Sequence, residues 1–230
     1  MYFKVNNSVH IASIIPYGSG HINKTYKVIL DANPNQAYIL QQINRLVFKD
    51  VSGVQENISR VTNHIQHRIN AITGSDATRE VIRLIPTRNN LLYFVDKAGK
   101  YWRLYNFVDG SRCFQKAPST DIAIEAGKAF GRFQKYLSDL KGEPLHETIP
   151  DFHAIHKRLE TFEQAIKGDI KNRIRESEPE ITFIREHSEG MKKFIDDAYR
   201  NKIPVRITHN DTKLNNILFD ENNKAIEKPS

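Results

Sequence analysis

Apolar residues in this chain change their period near residue 110. Before that point they alternate or run in short β-branched stretches, which read as strands. Val9–Pro16 is the first. Thr25–Leu30 is the second, with Tyr26, Val28 and Leu30 on one face and Lys27 and Ile29 on the other. Tyr38–Ile43 is the third, after the turn cluster at Asp31–Asn35. One helix follows, because Val54, Ile58, Val61, Ile65, Ile69 and Ile72 recur at threes and fours; Ser52 is placed to cap its start and Gly74 its end. Glu80–Pro86, Leu91–Val95 and Tyr101–Val108 read as further strands, the last two joined by a turn at Asp96–Gly99. Beyond a polar hinge at Asp109–Ser111 the helical period takes over, over Ser119–Leu140, 153–170 and 180–199. Pro144, Pro150 and Pro179 punctuate the connections, and Pro204–Thr208 reads as a last strand. This segregation excludes an alternating βαβ sheet. It predicts an α+β, bilobal fold: an N-lobe of antiparallel sheet plus helix over 1–108 and a helical C-lobe over 109–230.

A chain of 230 residues, 39% of them hydrophobic, can bury a sizeable core and is not globally disordered. Cys113 is the single cysteine, which excludes an internal disulfide and a cysteine-based zinc site; a small half-buried residue is expected there. Lys4, Asn6, Asn7 and Ser8 interrupt any leader-like apolar run, and no stretch approaches the ~20 apolar residues of a membrane helix. The expectation is a cytoplasmic protein without a membrane partner. Lys and Arg number 34 against 27 Asp and Glu, a net charge of +7. The basic residues are scattered among acids and carry no zinc-finger, RNP or helix-turn-helix pattern, so nucleic acid is not the expected partner and a small-molecule ligand fits the charge at least as well.

The most informative stretch is His209-Asn-Asp211-Thr-Lys213-Leu-Asn-Asn216-Ile-Leu-Phe219-Asp220. Phosphoryl transfer from ATP needs a carboxylate at the acceptor hydroxyl, a metal ligand close by and a cation near the γ-phosphate. Asp211, Asn216 and Lys213 supply these in that order, and their spacing lets them converge on one Mg²⁺-bound triphosphate. The plainer reading is a solvated Asp/Asn turn. A second stretch, Tyr17-Gly18-Ser19-Gly20-His21-Ile22-Asn23, joins the first two strands. Its glycines let the backbone fold over phosphates, although a simple hairpin turn satisfies the same residues. A β-branched residue at Gly20 is expected to hinder it. On the third strand, Ile39 and Gln41 share a face; Ile39 is placed to roof an adenine and Gln41 to occupy the position where kinases carry a lysine. Glu56 is the only acid in the body of the first helix, off its apolar face.

Together these stretches resemble the aminoglycoside phosphotransferase/choline kinase superfamily, and most of all its N-acetylhexosamine 1-kinase branch. The residues that carry the resemblance are YGSGHINKTYKV, YILQQINRLVFKD, VQENISRVTNHI, WRLYNFVDGSRCF, IPDFH at 149–153 and HNDTKLNNILFD. A glutamine at 41 agrees with that branch. The resemblance implies a kinase-like fold with ATP between the lobes and Mg²⁺ as cofactor. It implies Gly18, Ser19, Gly20, His21 and Asn23 over the phosphates, and Ile39 and Gln41 beneath the N-lobe sheet. Leu104, Tyr105, Asn106 and Phe107 become the hinge that meets adenine through backbone groups. Asp211 becomes the catalytic base, assisted by Lys213, Asn216 the metal ligand, and an amino sugar the acceptor. Such kinases hold metal with a second Asp after the catalytic loop, and none follows Asp220 here. The sequence therefore reads as C-terminally truncated, with an incomplete C-lobe, and little turnover is expected of it. A choline, homoserine or aminoglycoside kinase is the nearest alternative. A non-catalytic nucleotide-binding module is another, favoured by Gln41 and the missing Asp and opposed by the intact loop.

Overall fold

A computed structural model describes residues 2–5, 10–18, 20, 22–31, 36–72, 80–201 and 203–226. They form two compact units, Met1–Thr148 with Arg206–Ser230, and Ile149–Val205.

The first unit carries a five-stranded antiparallel sheet in the order β1-β2-β3-β5-β4, built from β1 (Ile11–Pro16), β2 (Lys24–Leu30), β3 (Ala37–Ile43), β4 (Phe94–Val95) and β5 (Tyr101–Asn106). Strand alternation sorts its side chains onto two faces. Val28, Leu30, Tyr38 and Leu104 bury one face against Phe3 and Val5. On the other face Tyr105 and Ile39 meet Val54 and Ile58 of α1 (Val51–Asn70). Asp50, rather than Ser52, caps α1: its side chain accepts from the Gly53 N–H at 2.9 Å, satisfying a donor that has no partner inside the helix. The helix ends at Asn70; Gly74, like Val9 and residues 32–35 of the turn, lies outside the described residues.

Three expected strands are shorter than the apolar runs suggest. Glu80–Pro86 pairs through isolated bridges, Leu84 with Tyr105 among them, and hydrogen bonds that include Ile85 N–H to Leu104 and Asn106 N–H to Arg83; Pro86 has no N–H with which to extend the ladder. Leu91–Val95 is cut to its last two residues by a turn at Thr87–Asn90, where Asn90 takes φ +64°. Pro204–Thr208 forms no strand. A strand needs a neighbouring edge to pair with, and none of the sheet pairings includes this run; Val205 is 93% exposed. Cys113 is exposed rather than half-buried.

α2 (Thr120–Leu137) begins at a Ser119 cap and packs in two directions. Phe133 and Leu137 meet Val61, Ile65 and Ile69 of α1, while Ile122, Ala126 and Ala129 receive Ile217 and Phe219. Phe219 belongs to a hairpin of β6 (Leu218–Phe219) and β7 (Ala225–Ile226), whose Ile226 joins the core beneath the sheet. Two polar ties fix this hairpin to α2. Arg132 Nη2 donates to the Ala225 carbonyl at 3.1 Å, and the largely covered Glu125 carboxylate accepts from Lys128 at 2.9 Å and Lys224 at 3.3 Å. The Lys128 hydrogen bond holds the Glu125 carboxyl below its ordinary range; burial opposes this, and Lys224 adds to it. A carboxyl lowered by folding stabilises the protein above its unfolded value and loses that contribution as pH falls through the folded one. Glu125→Gln is therefore expected to cost up to about 1 kcal/mol at neutral pH. The gap in thermal midpoint from wild type should close on acidification below about pH 4.

The second unit is a helical hairpin of α3 (Ile155–Gly168) and α4 (Glu178–Arg200), linked through a short 3₁₀ turn at Ile174–Ser177. Leu159 is its buried residue, and Arg185 holds Glu163 through two hydrogen bonds of 3.0 and 2.8 Å. Pro179 falls in the first turn of α4, where its missing N–H costs nothing. The IPDFH segment opens this unit, with Asp151 at φ +57° and the Phe152 carbonyl accepting from Arg158. Among the described residues no helix is long and apolar enough to cross a membrane.

Candidate functional site

Packing on α2 sets the loop at 209–216. The His209 ring lies edge-on to Phe130 and Phe133, with centroids 5.3 and 5.6 Å apart, which anchors the start of the loop. Asn210 then turns the chain at φ +62°. Ile217 and Phe219, 3% and 0% exposed, anchor the other end. Between these anchors Asp211, Lys213 and Asn216 converge. Asn216 Nδ2 donates to the Asp211 carbonyl at 2.8 Å and to Asp211 Oδ2 at 2.9 Å, and Lys213 Nζ sits 3.1 Å from the same Oδ2. With Nδ2 committed, Asn216 has its Oδ1 left to face a cation, and an amide oxygen is the kind of donor that Mg²⁺ accepts. Asp220 is engaged in its own turn. Its Oδ1 accepts from the Lys224 N–H at 2.7 Å and closes the β6–β7 turn.

The loop is tied to the segment that follows β5. Arg112 and Phe219 exchange backbone hydrogen bonds of 2.9 and 2.8 Å, and Asn215 Nδ2 donates to Gln115 Oε1 at 3.1 Å. The chain leaving the sheet and the loop with its carboxylate therefore belong to one structure. The hinge residues are themselves well committed. Leu104 turns into the opposite core, whereas Tyr105 packs with Ile39 and α1. Burial pushes the Tyr105 phenol up, with the Arg103 guanidinium acting in the opposite sense. The N–H groups of Asn106 and Phe107 go to the carbonyls of Arg83 and Ala37 and are not available to a ligand. The Phe107 ring carries Lys27 Nζ 3.8 Å above it and Tyr17 edge-on at 5.6 Å.

In the glycine-rich turn, Gly18 and Gly20 are exposed, while Ser19 and His21 lie outside the described residues. Asn23 closes the turn by accepting the Asn44 N–H on its Oδ1 at 2.9 Å. The conformational demand falls on Gly18, at φ +76°; a Cβ at Gly20 meets nothing within 4 Å. Gly18→Val is expected to lose about 1–2 kcal/mol in thermal or urea unfolding, because an L-residue pays for the left-handed region. Gly20→Ala should unfold like wild type.

Gln41 sits in a cross-strand row. Its Nε2 donates to Thr25 Oγ1 at 2.9 Å, and its Oε1 accepts from Arg103 Nε at 2.9 Å and Nη2 at 2.6 Å. Arg103 and Thr25 are absent from the sequence-based site; the one available signal is a charged residue in the otherwise apolar and aromatic run Tyr101–Tyr105. Glu56 points away from this row and pairs with His146 Nε2 at 2.9 Å. Beside Glu56, α1 turns the polar Gln55 inward, 1% exposed.

The description "phosphotransferase enzyme family" (APH) belongs to the protein-family model that matches residues 13–226. Among solved structures, the chain is similar to an aminoglycoside phosphotransferase from Alicyclobacillus acidocaldarius, at 12% identity and a TM-score of 0.51 over 97% of this chain and 62% of that one. It is also similar to the AMP-bound spectinomycin phosphotransferase APH(9)-Ia, at 12% identity and a TM-score of 0.51 over 97% and 66% of the two chains. A thermostable mutant of APH(4)-Ia matches at 11% identity, with a TM-score of 0.50 over 94% and 66%. The chain thus spans less than two thirds of these structures' own length up to about that share. The likeness establishes the α+β, protein kinase-like fold, and the family match covers nearly the whole sequence, from β1 through the glycine-rich turn to the loop at 209–216 and β7. The chain belongs to the phosphotransferase enzyme family.

Proposed function

We propose that this protein transfers the γ-phosphoryl group of ATP to a hydroxyl of a small molecule, with the anomeric hydroxyl of an N-acetylhexosamine as acceptor. The observation that carries the reading is the convergence of Lys213 and Asn216 on the Asp211 carboxylate, in a loop held at both ends by buried residues. Asp211 orients the acceptor O–H and takes its proton as the oxygen–phosphorus bond forms and the bond to the β-phosphate oxygen breaks, releasing ADP. Lys213, 61% exposed at its side chain, swings between Asp211 and the transferred group and offsets the charge that develops there. Asn216 presents Oδ1 to the metal; Mg²⁺, when bound, neutralises charge on the phosphates. The turn at 17–23 covers the phosphates, Ile39 roofs the adenine, and the hinge at Leu104–Phe107 meets its edge through backbone groups other than the Asn106 and Phe107 N–H.

The hexosamine assignment rests on the joint presence of the 209–216 loop and the IPDFH segment. The experiment is acceptor-dependent ADP release from Mg-ATP, run on this chain and on any longer form that contains it, with N-acetylglucosamine, N-acetylgalactosamine, choline, homoserine and spectinomycin as acceptors. Phosphorus NMR of the product should show an anomeric phosphate. Turnover of choline or spectinomycin alone would sink the hexosamine reading and leave a phosphotransferase with a different acceptor.

A further inference from the structure

Arg103 is 6% exposed, and no carboxylate of a described residue lies within salt-bridge distance of it. The Tyr105 ring, its centroid 5.1 Å from Arg103 Cζ, offsets part of the cost of burying the guanidinium, but with no counter-charge the site is still best completed by something anionic. α1 supplies no acid from the side that packs on the sheet: Glu56 is turned out to His146, and both amide atoms of the buried Gln55 lack a hydrogen-bond partner.

What Arg103 does hold is Gln41. Thr25, Gln41 and Arg103 stand directly opposite one another on β2, β3 and β5. Two N–H groups of Arg103 occupy the single amide oxygen of Gln41. That fixes the orientation of the amide and points its NH₂ toward β2. One amide N–H goes to Thr25 Oγ1, so the second N–H remains, and the Thr25 hydroxyl, already accepting, keeps its own proton to donate. Every group in the row therefore ends as a donor, backed by a buried positive charge, and adjacent hydrogen bonds of this kind polarise one another. A row that only donates recognises an anion. Thr25 also stands at the mouth of the glycine-rich turn, its carbonyl accepting from the Tyr17 N–H at 2.9 Å.

We propose that Gln41 Nε2 and Thr25 Oγ1 are neutral donors to a nucleotide phosphate, and that buried Arg103 acts through Gln41 as the positioning residue, so that a cation on β5 and an amide on β3 together do the work of a lysine on β3. This rests on the phosphotransferase reading above. It separates charge from location, and a charge swap tests it. Mg-ATP and adenosine are titrated calorimetrically into the full chain and into Thr25→Val, Arg103→Met, Gln41→Lys and the double variant Gln41→Lys/Arg103→Met, with thermal unfolding as the control for folding. Adenosine has no phosphate, so its affinity should be the same in all of them. Arg103→Met and Thr25→Val should each weaken ATP, by about tenfold for the former. Gln41→Lys should weaken it too, because it sets two cations side by side in the sheet, and the double variant should recover most of the loss with a single cation restored. Equal losses for ATP and adenosine, or ATP affinity unchanged in Thr25→Val and Arg103→Met, would overturn the proposal while leaving the phosphotransferase reading intact. A wild-type chain that binds neither ligand would overturn that reading and this inference with it.

Discussion

Asp211→Asn, placed in a longer form that contains this chain and turns over, lowers acceptor-dependent ADP release by about 10²–10⁴-fold, the usual worth of a positioned general base, and leaves nucleotide affinity near that of wild type. The substitution is nearly isosteric. The Asn216 Nδ2 bond to the Asp211 carbonyl survives it, and an amide oxygen at 211 still accepts the second bond. What disappears is the charge that takes the acceptor proton and holds Lys213 at 3.1 Å. Steady-state kinetics should place the loss in kcat rather than in KM for ATP. A variant that kept near-normal kcat would show that the loop does not carry the chemistry.

Asn216→Ala acts on a different step. Removing the amide takes away the oxygen offered to Mg²⁺ and both hydrogen bonds that hold Asp211. The Mg²⁺ concentration for half-maximal nucleotide binding should rise about 10–100-fold, the range seen when groups that support a metal site are lost. Raising Mg²⁺ should restore much of the binding but less of the turnover, because Asp211 stays unanchored. An unchanged Mg²⁺ dependence would remove Asn216 from the metal site.

These expectations could be written from the sequence because the loop is local. Asp211, Lys213 and Asn216 lie within six residues, and a motif of that length carries its own geometry once its ends are anchored. The segregated periods were legible for the same reason: β1, β2, β3 and α1 through α4 are long enough for alternation or helical spacing to decide the assignment. Glu80–Pro86 and Pro204–Thr208 were not. An apolar run becomes a strand only where an edge is available, and that is a property of the neighbours rather than of the run. The cap of α1 was misplaced by two residues because Asp50 and Ser52 are both competent, and only the position of the Gly53 N–H selects between them.

The Thr25–Gln41–Arg103 row was illegible for a further reason. Its members are 16 and 62 residues apart, and only the register of three strands aligns them. Glu56 shows the converse. It is the one acid of α1 and lies off the apolar face, so its helical phase carries it to His146, and Gln55 takes the inward position. A one-residue difference in helical phase is a rotation of about 100°, enough to exchange a surface side chain for a buried one.

Calorimetric titration of ATP into the 230-residue chain, at saturating Mg²⁺ and again with Mg²⁺ chelated, tests the central claim most directly. The account predicts one site that binds ATP with Mg²⁺, binds it much more weakly without the metal, and needs about 10–100-fold more Mg²⁺ to regain that difference in Asn216→Ala but not in Asp211→Asn. Absence of binding under both conditions, or binding indifferent to the metal and to Asn216, would contradict it.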